Sequence, residues 1–200
     1  MKRISLSILA VILSIGFAIA GGYKIGDKAT DFKLKNVDGS MVSMADYTDA
    51  KGFIVVFTCN HCPMSKKYEQ RIIDLDNKYS PLGFPVLAIN PNDKDVQPAD
   101  SYEEMVKLAA KKEYPFPYLY DETQEIAKAY GATRTPHVFI LSRVKKDMVV
   151  EYIGAIDNNS KSTDAADEKY VEDAVNALLA GEELPITYTT AVGCTIKWAK

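Results

Sequence analysis

The stretch "FIVVFTCNHCPMSKKYEQRI" (residues 53–72) decides the fold. It places two of the chain's three cysteines, Cys59 and Cys62, and one of its two histidines within four consecutive positions. The apolar, β-branched and aromatic residues 53–57 predict a strand that is covered on both faces. The residues after Pro63 follow the spacing of an amphipathic helix, and a helix tolerates proline in its first turn. The sequence therefore predicts Cys59 at a strand-to-helix junction and Cys62 in the first turn of the helix.

The rest of the chain repeats this alternation of strands and helices. Further strands are predicted at residues 84–90, 116–120, 137–141 and 148–154, and helices at 101–112, 121–130 and 167–180. Strands joined by crossover helices and followed by a hairpin predict an α/β fold with a central mixed β-sheet and helices on both faces.

The first twenty residues differ in composition from all that follows. Lys2 and Arg3 precede an apolar segment, which ends in the small-x-small site Ala18-Ile19-Ala20 before Gly21. This pattern is typical of a secretory signal peptide, and a retained membrane anchor is the alternative. We expect residues 1–20 to be removed and the protein to be exported across the inner membrane, to the periplasm.

The expected mature chain is one folded domain, residues 21–184, with a tail at 185–200 that packs on it. The signal peptide holds two of the 24 basic residues, so 22 remain against 27 acidic ones, a net charge of about −5. Nucleic acids and anionic membranes need a basic face on their partners. We therefore expect neither nucleic-acid binding nor stable membrane association after signal removal.

The two clustered cysteines predict thiol chemistry. In an oxidising compartment such a pair persists as a disulfide. A cysteine at the amino end of a helix has its thiolate stabilised, which lowers its pKa from about 8.5 into a range of roughly 3.5–7.5. This predicts Cys59 as the attacking sulfur and Cys62 as the resolving one, with an inert structural disulfide as the alternative. Structural zinc is disfavoured because a closed site needs four ligands, and we expect no metal and no cofactor.

The order strand, Cys-x-x-Cys-Pro, helix and later Thr135-Pro136 before a strand resembles the thioredoxin superfamily. It is most similar to the exported redoxin or AhpC/TSA-like group, whose amino-terminal extension resembles residues 25–47. The resemblance covers roughly residues 23–181 and implies a thioredoxin-like fold. It also implies disulfide exchange with protein thiols and with an upstream redox partner, a cis bond at Pro136, and substrate positioning by Thr135 and Pro136.

The chain departs from the family pattern around the cysteines. Thr58 replaces the common tryptophan, and Asn60-His61 replaces Gly-Pro between the two sulfurs. A protonated His61 would stabilise the reduced thiolate and make the disulfide a stronger oxidant. The other histidine, His137, follows Pro136 directly, so we expect the two histidines to converge and to tune the thiolate or handle protons. The redox direction stays open.

Three other functions compete with thiol–disulfide exchange. A thiol-dependent peroxidase would carry a threonine three positions before its reactive cysteine, whereas Thr58 is adjacent to Cys59. A copper-delivery protein could use Cys59, Cys62 and His137 as soft ligands, although related chaperones space their cysteines differently. A non-enzymatic binding module is the third alternative, and it predicts no perturbed thiol.

The carboxyl-terminal segment "AVGCTIKWAK" (191–200) carries the third cysteine and the only tryptophan. Val192, Cys194, Ile196 and Trp198 alternate like one apolar face of a strand. We expect the segment to fold back over a hydrophobic edge of the domain. A closer approach to Cys59 would make Cys194 an auxiliary thiol, and a disordered tail is the remaining alternative.

Overall fold

The computed structural model describes residues 21–162 and 166–200. The predicted signal peptide, residues 1–20, lies outside the described residues. Within the two described ranges, no helix combines the length and the apolar character needed to cross a membrane.

Strands and helices alternate along the described part of the chain as the sequence predicts. The strands are β1 (Lys28–Ala29), β2 (Lys33–Asn36), β3 (Met41–Ser43), β4 (Gly52–Phe57), β5 (Val86–Asn90), β6 (Tyr118–Tyr120), β7 (Arg134–Thr135), β8 (His137–Val144), β9 (Asp147–Gly154) and β10 (Cys194–Thr195). The helices are α1 (Pro63–Tyr79), α2 (Tyr102–Lys112), α3 (Glu125–Tyr130) and α4 (Tyr170–Ala180).

Eight strands form one mixed sheet in the order β1-β9-β8-β4-β5-β6-β2-β3. β4, β5 and β6 run parallel, and β8 pairs antiparallel with the other edge of β4. β4 is therefore central, and all six of its residues are buried. Strands covered on both faces carry continuous apolar runs, which is why the run before Cys59 predicted this position.

The two faces of the sheet bury different residues of β4. Ile54 and Val56 belong to a core cluster with residues of α1, α2 and α4. Phe53, Val55 and Phe57 face the other way, into a cluster with residues of α3, the amino-terminal segment and the tail. The prediction of helices on both faces of a mixed sheet is therefore confirmed. Both faces of β4 can be apolar because successive side chains of a strand point to opposite faces.

Strands β1, β2 and β3 were not predicted as separate elements from the residue pattern. They are two to four residues long, and most of their side chains are exposed or half-buried. β1 pairs with β9 and β2 pairs with β6, so their partners lie far along the chain. Short polar edge strands carry little periodic signal, and only long-range pairing defines them.

Candidate functional site

The two clustered cysteines lie where β4 meets α1. β4 ends at Phe57 and α1 begins at Pro63, so Cys62 is the residue that caps the helix rather than a member of its first turn. Pro63 fits the first helical position because the backbone N–H that it lacks has no partner there. Cys59 is 4% exposed and Cys62 is fully buried, so both cysteines lie inside the protein.

A second segment, residues 133–137 around β7, lies against the sulfurs and is called the cis-proline loop here. The Thr135–Pro136 peptide bond is cis, and Thr135 is fully buried. The Cys59 Sγ atom lies 3.2 Å from the Thr135 hydroxyl oxygen, and the Cys62 Sγ atom lies 3.3 Å from the Thr135 carbonyl oxygen. One residue of the cis-proline loop therefore contacts both sulfurs.

The disulfide in the structure joins Cys62 to Cys194, and Cys59 is a free thiol. The sequence predicted a Cys59–Cys62 couple, and this state of the chain holds a different pair. The physical reason is the tail. β10 pairs antiparallel with β7 and sets Cys194 opposite Thr135, with the Cα atoms of Cys62 and Cys194 6.1 Å apart. This separation lies in the range that disulfide geometry requires.

The tail, residues 185–200, is paired with the domain at several points. Thr187 and Thr189 exchange backbone hydrogen bonds with Ile153 at the end of β9. Further along, the Lys197 carbonyl accepts hydrogen bonds from the Asp93 N–H and the Gln124 side chain.

The expected apolar alternation of the tail describes its burial only in part. Ile196 is buried in the core cluster, and Cys194 is half-buried. Val192 and Trp198 are 52% and 38% exposed. The ordered backbone of this segment therefore depends on hydrogen bonds and the disulfide more than on a continuous apolar face.

Asp100 organises the loop between the two cysteines. It is fully buried, and its Oδ1 atom accepts hydrogen bonds from the backbone N–H groups of Asn60 (2.8 Å) and His61 (3.0 Å). Its Oδ2 atom lies 2.5 Å from His61 Nδ1 and accepts a 2.7 Å hydrogen bond from the Asn92 side chain. The sequence reasoning missed this residue. Nothing in the local pattern separates Asp100 from the other acidic residues, because its burial depends on the fold.

The environment of Cys59 disfavours its thiolate. Burial raises the pKa of the Cys59 thiol, and the nearby Asp100 carboxylate raises it further, against the hydrogen-bonding effects of Thr135, the Cys62 backbone and Ser65. The expectation of a lowered pKa is therefore wrong for this state of the chain. The dipole at the start of α1 acts on a sulfur that is removed from water and placed beside a negative charge.

The two histidines lie in different environments. His61 Nδ1 is 3.8 Å from the Cys59 Sγ atom, so this histidine does adjoin the thiol. His137 pairs in register with Phe57, and its ring packs 4.8 Å from that of Phe139, which places it on the sheet face opposite α1. Its Nδ1 atom accepts a hydrogen bond from the Thr133 N–H. We expected both histidines to lie beside the thiol, and only His61 does so. The alternation of side chains along β8 places His137 on the other face of the sheet, where it contacts Thr133.

Three possible metal ligands, one of which is the free thiol, lie close together. Single ligand atoms of Cys59, His61 and Asp100 lie within 4.8 Å of one another. However, the 2.5 Å contact with Asp100 uses the same His61 nitrogen that faces the sulfur. The copper set considered from the sequence is not assembled in this state, because Cys62 is a disulfide sulfur and His137 lies elsewhere.

Replacing Asp100 with Asn should lower the pKa of Cys59. The substitution removes a negative charge near the sulfur but keeps an oxygen that can accept the loop's hydrogen bonds. In the form with the Cys62–Cys194 disulfide, Cys59 is the single alkylatable thiol, so the pH dependence of its reaction with iodoacetamide reports this pKa. The exposed Asp95→Asn variant is the control and should match the wild type. An unchanged or raised pKa in Asp100→Asn would contradict the assignment.

Replacing His137 with Gln should remove part of the acid sensitivity of the fold. Burial, with a smaller effect of Arg134, lowers the pKa of His137 to about 4. Between pH 6.5 and about 4, the unfolded chain binds a proton at this residue and the folded chain does not. Stability therefore falls as pH falls through this window, by on the order of 3 kcal/mol from this group.

The measurement is urea unfolding of wild type and His137→Gln at several pH values from 4 to 7, compared as differences. As the pH falls from 6.5 to 4, the wild type should lose on the order of 3 kcal/mol more stability than His137→Gln. His61→Gln, which alters the half-buried histidine instead, should keep the part of the pH dependence that is due to His137. Parallel curves for wild type and His137→Gln would show that His137 is protonated in the folded protein.

Comparison with known proteins places this site in a family. Residues 25–153 match the AhpC/TSA family. The chain is 26% identical over 145 residues to the thiol-disulfide oxidoreductase ResA of Bacillus cereus, covering 68% of this chain and 79% of that one. It is also 28% identical over 107 residues to a provisionally named peroxiredoxin of Mycobacterium tuberculosis, covering 54% of this chain and 63% of that protein.

Solved structures agree on the architecture. An uncharacterized conserved protein from Geobacillus kaustophilus is 39% identical and superimposes with a TM-score of 0.81, over 88% of this chain and 93% of that one. The exposed lipoprotein thioredoxin of Streptococcus pneumoniae shares the fold at 16% identity and a TM-score of 0.55, over 76% and 99% of the two chains. The thioredoxin-like fold is thereby confirmed, and the chain belongs to the AhpC/TSA family, in the redoxin group of the thioredoxin superfamily.

Proposed function

We propose that the protein is a thiol–disulfide oxidoreductase that exchanges disulfides with protein substrates through Cys59 and Cys62. The observation that carries the proposal is the contact of Thr135, directly before a cis-proline, with both sulfurs. Its relative in Bacillus cereus is named a thiol-disulfide oxidoreductase, which supports the same class of reaction. The exchange needs no cofactor, because sulfur atoms carry the electrons.

In the proposed reaction the Cys59 thiolate attacks a substrate disulfide. A bond forms between Cys59 and one substrate sulfur, and the other substrate sulfur leaves as a thiolate. The Cys62 thiolate then attacks Cys59, forms the Cys59–Cys62 disulfide and releases the second substrate thiolate. The protein loses two electrons and the substrate gains two. Each step is a reversible exchange, so the upstream redox partner sets the direction.

The residues around the sulfurs have separate positioning roles in this proposal. Thr135 and Pro136 hold the substrate backbone beside the sulfurs. His61, next to Cys59 and bound to Asp100, tunes the thiolate or passes protons. His137 supports the cis-proline loop from below through its hydrogen bond with the Thr133 N–H, rather than through contact with the thiol.

We further propose that the reaction takes place after export, in the periplasm, with residues 1–20 as the signal peptide. Supporting this, the basic and apolar pattern of that segment is typical of secretion. The functional unit is then residues 21–184, with residues 185–200 packed on it and protein thiols as its partners.

Removing Cys62 should trap substrates, and removing Cys59 should not. The test uses a Cys194→Ser background, so that the tail cannot compete for either sulfur. With Cys62→Ser added, Cys59 should form a mixed disulfide with a disulfide-containing protein such as insulin, at least tenfold more than with Cys59→Ser added. In the Cys62→Ser variant no cysteine remains to resolve the mixed disulfide on Cys59. In the Cys59→Ser variant the remaining cysteine, Cys62, is fully buried and should not attack a substrate. Non-reducing gels with mass spectrometry measure the product.

Two controls accompany the trapping experiment. Cys194→Ser alone, with both clustered cysteines present, should turn over without accumulating adducts. The variant without any of the three cysteines should form none. Equal trapping by Cys59 and Cys62 would contradict their assigned roles.

A thiol-dependent peroxidase is the second candidate, and one observation favours it. Cys59 remains a free thiol while the other two cysteines are paired, and it lines a small cavity with Ser65, Tyr114 and Tyr118. Against it, Thr58 is adjacent to Cys59 rather than three positions before it. The raised pKa of Cys59 reduces the thiolate available for either reaction and does not separate the two candidates.

Reaction of Cys59 with hydrogen peroxide separates the two candidates. Our primary proposal predicts that the disulfide form consumes peroxide no faster than free cysteine at the same pH. A dimedone-type probe of sulfenic acid on Cys59, read by mass spectrometry, gives the rate. A hundredfold acceleration over free cysteine would establish the peroxidase instead. Cys59→Ser is the control for oxidation elsewhere in the chain.

A further inference from the structure

The tail is bound at the redox site in the way that an extended substrate would be. We propose that residues 193–195 occupy the substrate position along the edge of β7, that Cys194 is an internal cysteine that exchanges with Cys62 rather than with the attacking Cys59, and that this edge selects segments in which a glycine precedes the cysteine. This inference rests on the proposed function. It adds the kind of segment that the edge of β7 accepts, which is an extended Gly-Cys segment.

The register of the β7–β10 pair brings Cys194 to the reacting atoms. Cys194 pairs with Thr135 and Thr195 pairs with Arg134, in antiparallel orientation. Thr135 is also the residue that contacts the sulfurs of Cys59 and Cys62. A segment that pairs with β7 in this register therefore presents the side chain opposite Thr135 to the redox site, and the tail presents a cysteine there.

Gly193 shows what the site requires of the preceding residue. A Cβ atom at position 193 would lie 2.1 Å from the Thr135 carbonyl oxygen and 2.6 Å from its carbon. Both neighbours are backbone atoms of a fully buried residue, so neither is free to move aside. Glycine is the residue that fits, and any partner bound in this register meets the same restriction.

The other contacts of the tail are made mostly to its backbone. The Arg134 guanidinium donates a 3.0 Å hydrogen bond to the Gly193 carbonyl, and the Ile196 N–H donates to the Thr133 carbonyl. Val192 and Thr195, on either side of the Gly-Cys pair, are exposed. Backbone recognition with exposed flanking side chains accepts many sequences, so the glycine–cysteine pair carries the selectivity.

A clamp anchors the segment beyond Cys194. The Asn92 side chain accepts a hydrogen bond from the Lys197 N–H, and Gln124 bonds both the Lys197 carbonyl and the Ala199 N–H. Asn92 and Gln124 are almost fully buried, although neither is near the sulfurs in sequence. The clamp holds the tail close to the site, which gives Cys194 a high effective concentration.

The chemistry that engages the tail is a balanced thiol–disulfide exchange. The Cys194 thiolate attacks Cys62 in the Cys59–Cys62 disulfide, the Cys62–Cys194 bond forms, and Cys59 leaves as a thiolate that takes up a proton. No external oxidant or reductant is needed. The reverse step, attack of Cys59 on Cys62, expels Cys194 and frees the substrate position. Cys194 is half-buried and Cys62 is fully buried, so Cys194 is the more exposed residue of the pair.

The first test changes the tail of the full chain. In Gly193→Ala the oxidised protein should contain the Cys59–Cys62 disulfide, with the Cys62–Cys194 fraction reduced at least tenfold relative to wild type. Val192→Ala, which alters the exposed neighbouring residue, should retain the Cys62–Cys194 pair. Peptide mapping by mass spectrometry under non-reducing conditions measures both. A wild-type fraction of Cys62–Cys194 in Gly193→Ala would overturn the proposal.

The second test measures the selectivity directly. The Cys59→Ser/Cys194→Ser variant leaves Cys62, the sulfur that the tail engages, as the single cysteine and frees the substrate position. It is mixed with the disulfide-linked homodimer of the peptide AVGCTIK, residues 191–197, or of the same peptide with alanine in place of glycine. Each rate of Cys62–peptide formation is divided by that peptide's rate with glutathione, which corrects for intrinsic reactivity.

The normalised rate should be at least tenfold higher for the glycine peptide. Equal normalised rates within a factor of two would overturn the selectivity but leave thiol–disulfide exchange intact. Capture of neither peptide, with Cys62 still alkylatable by iodoacetamide, would overturn this inference, whereas the proposed function fails only if Cys59 does not trap a substrate in the Cys62→Ser/Cys194→Ser variant. The two failures are thus distinguishable.

Discussion

The contact between Thr135 and the two sulfurs is the constraint on which the rest of the site depends. The Thr135 hydroxyl lies against Cys59 and the Thr135 carbonyl lies against Cys62. The same residue then pairs with whichever strand lies along β7. Thr135 therefore connects the two sulfurs with the edge of β7 along which an extended strand can pair.

The buried carboxylate of Asp100 sets the electrostatic character of this site. It holds the Asn60-His61 turn through two backbone N–H groups and contacts the His61 ring. The same negative charge, together with burial, raises the pKa of Cys59. Asp100 thus both holds the loop between the cysteines and disfavours the Cys59 thiolate. A free Cys59 in this environment is protected from indiscriminate reaction, because the thiol is a weaker nucleophile than the thiolate.

The tail connects the redox state of the site with its availability to partners. When Cys62 is bonded to Cys194, the substrate edge of β7 is occupied and Cys59 is a free thiol. A Cys59–Cys62 disulfide would instead leave Cys194 reduced. These two oxidised forms contain the same number of electrons, so the balance between them depends on strand pairing and on the clamp around Lys197 rather than on an external oxidant.

The sequence by itself determined the parts of this protein that rest on local patterns. Each of three features lies within a short stretch of sequence: the apolar run of β4, the Cys-x-x-Cys-Pro junction and the amphipathic spacing of α1. These features resemble the thioredoxin superfamily, and that resemblance implied the cis bond at Pro136. Periodicity and helix-capping rules are enough to read such features. The thioredoxin-like fold, the position of Cys59 and the cis bond at Pro136 could therefore be predicted, whereas the contact of Thr135 with Cys59 could not.

Only the tertiary structure decided which groups meet at the site. Cys62 and Cys194 are 132 positions apart, and their bond depends on the pairing of two-residue strands that have no periodic signal. The role of Asp100 depends on its burial, and the separation of His137 from the thiol depends on which sheet face its strand position gives it. Which strands pair, which cysteines bond and which side chains are buried all depend on contacts between distant parts of the chain. Local sequence patterns therefore do not predict them.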